Sequence, residues 1–192
     1  MNDVFTAKNE LRKKYLAKRK ELDEKYRSDA ERRALQNLVS TKEFSSADKI
    51  FLYYPIKCEA DPMHLLEIAQ KLGKKVAFPI CNKADLTMRF FEISSHKDFS
   101  PGAYNIPEPN EALGELQADG KTLCVVPALL YSKDGHRLGY GKGFYDRFLA
   151  NFDGVSVGFT YDELVVDDLP HDAFDMKLDM IITEKGVYLS EG

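Results

Sequence analysis

Asp134-Gly135-His136-Arg137-Leu138-Gly139-Tyr140-Gly141-Lys142-Gly143-Phe144-Tyr145-Asp146-Arg147 decides how the rest of the chain is read. It follows an apolar run, Leu123 to Tyr131, and leads into a helix-like segment, Phe144 to Phe152. A strand that opens into a glycine-rich loop and resumes as a helix is an α/β unit. In such folds ligands bind beyond the carboxyl ends of the strands. Gly139, Gly141 and Gly143 let the backbone approach a ligand and turn N–H groups toward it. Arg137, Lys142 and Arg147 add cations, and the helix adds its amino-terminal end. This is the construction of a phosphate cradle. Named motifs fit it poorly. A Walker A loop needs glycine in place of His136 and Ser or Thr in place of Gly143, and the dinucleotide fingerprint needs glycine in place of Phe144. A flexible surface loop is the plainer alternative, against which the density of glycines, cations and aromatics weighs.

Outward from this stretch, strands and helices alternate. Lys8 to Arg27 reads as a helix with Leu11, Tyr15, Leu22 and Tyr26 on one stripe. Ser28 and Glu31 form an S-x-x-E capping box that starts a second helix. Ile50 to Tyr54 is a buried strand ended by Pro55. Asp61-Pro62 opens a helix that stops at Gly73. Val76 to Ile80 and Leu86 to Ile93 are strands, and Ser100 to Pro109, with three prolines and a glycine, is a long loop. Val155 to Tyr161 is a strand, Asp162 to Lys177 is irregular, and Met180 to Thr183 pairs with Val187 to Leu189 across Glu184-Lys185-Gly186. The pattern predicts one α/β domain over residues 1–192, with helices on the faces of its sheet.

Composition narrows the function. With 192 residues, 44% hydrophobic and 30% charged, the chain reads as an ordinary globule. Its net charge of −4 opposes polyanion binding except through a local basic patch. Cys58, Cys81 and Cys124 are odd in number and lack a C-x-x-C pair, which suits neither a disulfide framework nor a zinc knuckle. No secretory signal or membrane-length apolar run is visible. A cytoplasmic protein is expected. Lys8 and Arg12, one turn apart, can reach one anion, although a solvated helix face is the default for such residues. Asp146 reads equally as a magnesium ligand beside the cradle or as a first-turn acid. Glu59 lies just past a strand end, where ligands are met and where solvent-exposed loop glutamates are also common.

Four segments together resemble the 5-formyltetrahydrofolate cyclo-ligase (5,10-methenyltetrahydrofolate synthetase) family. They are Lys8-Asn9-Glu10-Leu11-Arg12, Tyr53-Tyr54-Pro55 leading to Glu59, Arg137 through Arg147, and Asp175-Met176-Lys177-Leu178-Asp179 running into Ile181-Ile182-Thr183-Glu184. The resemblance implies a mostly parallel sheet flanked by helices on both faces. It implies an ATP- and Mg²⁺-dependent closure of 5-formyltetrahydrofolate to 5,10-methenyltetrahydrofolate. By the same resemblance Lys8, Arg12 and the segment Arg137, Leu138, Gly139, Tyr140, Gly141, Lys142, Gly143, Phe144 and Tyr145 contact ATP. Arg137 and Lys142 neutralise the transferring phosphate, Asp146 and Asp179 hold the metal, and Tyr54, Glu59 and Phe144 contact the folate. A monomer acting on small molecules, with no nucleic-acid or membrane partner, is expected. Two rivals stand beside it: an ATP-dependent enzyme of the same fold with another substrate, and a non-catalytic module holding RNA on the basic first helix.

Overall fold

Every residue of Thr122–Val126 is buried, as befits a strand covered on both faces. Leu123 and Val125 face one hydrophobic cluster and Cys124 and Val126 face the other, so the period-2 alternation divides the strand between two cores. The computed structural model describes residues 2–190. Its elements in chain order are α1 (Asn2–Glu21), α2 (Glu24–Val39), α3 (Lys42–Ser46), β1 (Lys49–Phe51), α4 (His64–Lys71), β2 (Lys75–Asn82), β3 (Thr87–Glu92), β4 (Phe99–Pro101), β5 (Pro107–Pro109), β6 (Thr122–Val126), β7 (Leu130–Ser132), β8 (Arg137–Leu138), α5 (Phe144–Leu149), β9 (Val155–Phe159), β10 (Val165–Val166), β11 (Met180–Thr183) and β12 (Gly186–Leu189). The main sheet has seven strands in the order β12-β11-β9-β6-β1-β2-β3. Its inner pairs are parallel, and both edge strands are antiparallel. Residues of α2, α3 and α4 fill the core on one face, and Leu149 of α5 packs into the other. The expected α/β sheet, mostly parallel and covered on both faces, is the one found.

The topology places a site. From β1 the sheet grows one way to β2 and the other way to β6, so the strand order, though not the chain direction, reverses between the parallel strands β1 and β6. The crevice at the carboxyl ends of these two strands is where α/β folds bind ligands. The small sheet β10-β7-β8 stands beside it and carries the lead-in to the glycine loop. There Arg137 is in register with Tyr131.

Local departures from the sequence reading have local causes. The first helix ends at Glu21, and α2 starts after Asp23, whose side chain accepts from the Tyr26 N–H at 3.0 Å. Asp23 outcompetes Ser28, which lies exposed inside α2, and Glu31 accepts instead from the Tyr161 hydroxyl and the Asp61 N–H. Asp61 Oδ1 accepts from the Met63 N–H at 2.8 Å, and α4 begins only at His64. The segment expected as a long loop holds the antiparallel ribbon β4–β5, because prolines are tolerated in short edge pairs. The helix expected to reach Phe152 ends at Leu149.

Gly158 shows how tightly the sheet and its cover fit. A Cβ there would lie 2.6 Å from Tyr131 Cε1 and 3.3 Å from Ile181 Cγ1. Tyr131 cannot yield easily, since its buried hydroxyl donates to the Val126 carbonyl at 2.8 Å. Gly158→Ala is therefore expected to destabilise the fold by about 1–3 kcal/mol through overpacking, measured by urea denaturation.

Candidate functional site

Arg19 occupies a slot that an apolar residue would normally take. It falls on the α1 stripe, four residues after Tyr15 and three before Leu22. The helix therefore turns it inward, and its side chain is 1% exposed. Burying a guanidinium requires partners. NH1 donates to the Ala128 carbonyl just past β6 at 3.1 Å, and NH2 donates to the Tyr140 hydroxyl in the glycine loop. Glu59 Oε1 lies 3.9 Å from NH1.

Glu59 comes from the loop after β1. Lys57 and Cys58 both adopt the left-handed region, with φ of 48° and 61°, and fold the chain back. The Glu59 N–H donates to the Ile56 carbonyl at 2.9 Å, and Oε2 accepts from the Ile56 N–H at 2.9 Å. Oε1 is buried with no hydrogen-bond partner, as is Arg19 Nε. Burial pushes the Glu59 carboxyl up to about 6, against the pull of the Ile56 N–H, Arg19, Tyr140 and Lys57. Lys57 Nζ stands 4.6 Å over the Tyr140 ring. A cavity of about 350 Å³ opens beside Glu59, lined also by Arg27, Glu31, Pro55, Lys57 and Asp61.

The glycine loop is held from α1. Arg12 Nε donates to the Gly139 carbonyl at 2.9 Å, and a Cβ on Gly141 would come within 3.2 Å of Arg12 NH2. Gly141 and Gly143 have φ of +85° and +71°, conformations that resist side chains. Lys8 pairs with Asp172 at 3.1 Å and with Asp175. Burial alone would lower its pKa, but these two carboxylates outweigh it and raise it. Lys142 is exposed and pairs with no acid among the described residues. Because α5 has only six residues, cations rather than a helix end dominate the charge here.

Asp146 and Arg137 meet each other. Arg137 NH2 donates to Asp146 Oδ1 at 2.7 Å and NH1 to the Met176 carbonyl at 2.6 Å. The Met176 N–H also donates to Asp146 Oδ1, which leaves Oδ2 without a hydrogen bond. Asp179 precedes β11, at the amino edge of the sheet, and its Oδ2 accepts from the Ser156 N–H and hydroxyl, both at 2.7 Å. Asp146 and Asp179 share no partner. No group of three or more His, Cys, Asp or Glu able to hold a metal occurs among the described residues. Leu138 is core. The Tyr145 hydroxyl is buried and unpartnered. Phe144 meets Tyr104 edge-on at 6.2 Å, and Tyr54 meets Phe99 edge-on at 5.4 Å. Of the residues that the sequence singled out, the structure brings Arg12 directly, and Glu59 through Arg19, to the glycine loop. The structure adds to them Arg19, Lys57 and the Asp172–Asp175 pair, which the sequence reading did not single out as site residues. Only Arg19 had left a signal, a charge on an apolar stripe.

The chain matches the model of the 5-formyltetrahydrofolate cyclo-ligase family over residues 4–184. A solved structure of 5,10-methenyltetrahydrofolate synthetase from Aquifex aeolicus superposes with a TM-score of 0.84 and 34% identity, covering 96% of this chain and 93% of that one. A 5,10-methenyltetrahydrofolate synthetase from Mycoplasma pneumoniae gives a TM-score of 0.74 at 26% identity, covering 92% and 98%. The 5-formyltetrahydrofolate cyclo-ligase of Mus musculus is 25% identical over 185 residues, 86% of this chain and 91% of its own. The chain belongs to the 5-formyltetrahydrofolate cyclo-ligase family.

The buried carboxylate has a cost that can be measured. With its pKa raised to about 6, Glu59 holds a proton more tightly folded than unfolded. Ionisation at pH 7 therefore opposes folding, and this opposition fades as the pH falls through about 6 toward the ordinary glutamate range. Glu59→Gln is expected to raise Tm at pH 7 and to leave it unchanged near about pH 4.5.

Proposed function

We propose that this family member closes 5-formyltetrahydrofolate to 5,10-methenyltetrahydrofolate, consuming ATP and releasing ADP and phosphate. The observation that carries this reading is a meeting at Tyr140. There a cation-lined glycine loop adjoins a buried carboxylate with one unpaired oxygen. The loop suits a polyphosphate, and the carboxylate suits an N–H donor on a folate ring.

An N-formyl group is amide-like, so its carbon is a poor electrophile and its oxygen a poor leaving group. Phosphorylation of that oxygen by ATP corrects both. The folate N10 then attacks the carbon, and phosphate departs with the former formyl oxygen. The protein supplies no nucleophile, only positioning and neutralisation of charge. ATP lies along Gly139 to Gly143, met by Lys8 and Arg12 from α1. Lys142 is free to swing onto the transferring phosphate, and Arg137, buried on β8 and engaged by Asp146 and the Met176 carbonyl, adds its charge from behind the loop. Tyr54, Glu59 and Phe144 contact the folate.

Magnesium fits Asp146. One carboxylate combined with nucleotide phosphates is an ordinary magnesium site, and Oδ2 is available for it. The ion, when bound, offsets charge on the phosphates. Asp179 is the second carboxylate of this reading, although Ser156 engages one of its oxygens. The RNA-holding alternative is weakened because Lys8, Arg12 and Arg19 turn into the protein rather than forming a stripe. No described helix is long and apolar enough to cross a membrane.

Mixing the protein with 5-formyltetrahydrofolate and Mg·ATP, with ATP omitted as control, tests the reading by absorbance of the conjugated product. ATP-dependent growth is expected, and its absence in folded protein overturns the substrate. Arg137→Ala and Lys142→Ala are each expected to lower kcat about a hundredfold, the scale of one lost charge-stabilising group. Unchanged turnover at saturating ATP removes that residue from the mechanism. Asp146→Asn is expected to raise the half-saturating Mg²⁺ concentration about tenfold or more. For Asp179→Asn, a shifted Mg²⁺ dependence supports a ligand role. A lowered Tm with unshifted dependence assigns it to capping Ser156.

A further inference from the structure

Glu59 and Arg19 are the two most deeply buried charged side chains that face each other in the crevice, at 3% and 1% exposure. Each keeps an unpaired atom, Oε1 and Nε. At 3.9 Å they sit close enough for strong attraction yet beyond hydrogen-bond distance. Arg19 meanwhile spends its NH1 on the Ala128 carbonyl and its NH2 on the Tyr140 hydroxyl. The guanidinium thus pins a point after β6 and a point in the glycine loop, while its charge falls on the acid from the loop after β1.

We infer that Arg19 is a positioning residue for the cyclisation, keeping Glu59 ionised with Oε1 free for the folate and holding Tyr140, with the glycine loop, at the folate's side. The inference rests on the reading of Glu59 as a folate ligand. A hydrogen-bonded Arg–Glu pair would consume Oε1. The longer approach stabilises the negative charge and leaves the acceptor open.

The other groups around Glu59 do not replace Arg19. Tyr53, Tyr131, Tyr140 and Tyr145 are phenols raised by burial and neutral, and of these the Tyr140 hydroxyl, which Arg19 holds, also pulls Glu59 down as a neutral donor. Lys57 is exposed and stacks on Tyr140. Arg27 lines the neighbouring cavity together with Glu24, Glu31 and Asp61, whose acidity counters it. Arg19 is the buried cation directly facing the carboxylate.

The test is the pH dependence of kcat/KM for 5-formyltetrahydrofolate at saturating Mg·ATP, in wild type, Arg19→Met, Arg19→Lys and Glu59→Gln. The acidic limb of the wild type is expected near about pH 6, reporting Glu59 in the free enzyme. Arg19→Met removes the charge at near-constant length, so the limb moves up by about one pH unit and KM for the folate rises about tenfold. Arg19→Lys restores the charge without the fork. Its limb returns to the wild-type position, while KM for ATP stays raised because Tyr140 is unpinned. If Arg19→Met does not fold, Arg19→Gln takes its place. A merely structural Arg19 lowers Tm and kcat while leaving the limb where it was, and that result overturns the proposal. In Glu59→Gln the limb is expected to vanish. A limb that survives there refutes the reading of Glu59 itself and the proposal with it. A limb lost in Glu59→Gln but unmoved in Arg19→Met refutes the role of Arg19 alone.

Discussion

A guanidinium buried at the carboxyl edge of the sheet ties together three segments that are distant in sequence. Arg19 comes from α1, Ala128 follows β6, Tyr140 belongs to the glycine loop, and Glu59 closes the turn after β1. Removing a charge from water is expensive unless its donors find acceptors, and Arg19 finds them in the Ala128 carbonyl and the Tyr140 hydroxyl. The geometry of the crevice therefore depends on this set being complete. α1 is a component of the site for this reason, and its apolar stripe serves mainly to bring Arg19 and Arg12 to the correct height.

The sheet determines why these segments meet. Reversal of the strand order between the parallel strands β1 and β6 opens a crevice at their carboxyl ends, and the loops after both strands converge on it. The small sheet β10-β7-β8 then returns the chain toward the crevice through Arg137 and Leu138. Beyond β8, Gly141 in the left-handed region lets the loop pass against the Arg12 guanidinium, which a Cβ would crowd. Each functional side chain is thus fixed by backbone that has little freedom to shift.

Much of this was legible beforehand. Alternating strand and helix signals gave the layered fold, and the full burial of Leu123 to Val126 matches their unbroken apolar run. The glycine loop stood out by its density of glycines, cations and aromatics, whereas Glu59 was marked only by its place past a strand end, where exposed glutamates are common. What escaped was set by competition or by distance. Asp23 and Ser28 are both good caps, and sequence alone does not rank them. The ribbon β4–β5 is stabilised by its own pairing, which a proline-rich segment does not advertise. The pairing of Arg137 with Asp146 joins residues nine apart across a loop whose path depends on Met176, thirty residues further on.

The contact of Lys8 with Asp172 and Asp175 has a further meaning on the proposed reading. Those carboxylates hold the charge that, on this reading, a nucleotide phosphate engages. Binding is then an exchange of one anion for another rather than the filling of a bare positive site. Such an exchange discriminates: a single weak anion gains little by displacing two resident carboxylates, while a polyphosphate that also engages Arg12 and the loop backbone gains much more. On that reading the acidic segment beyond β10 is a resident competitor for Lys8, and affinity is traded for selectivity.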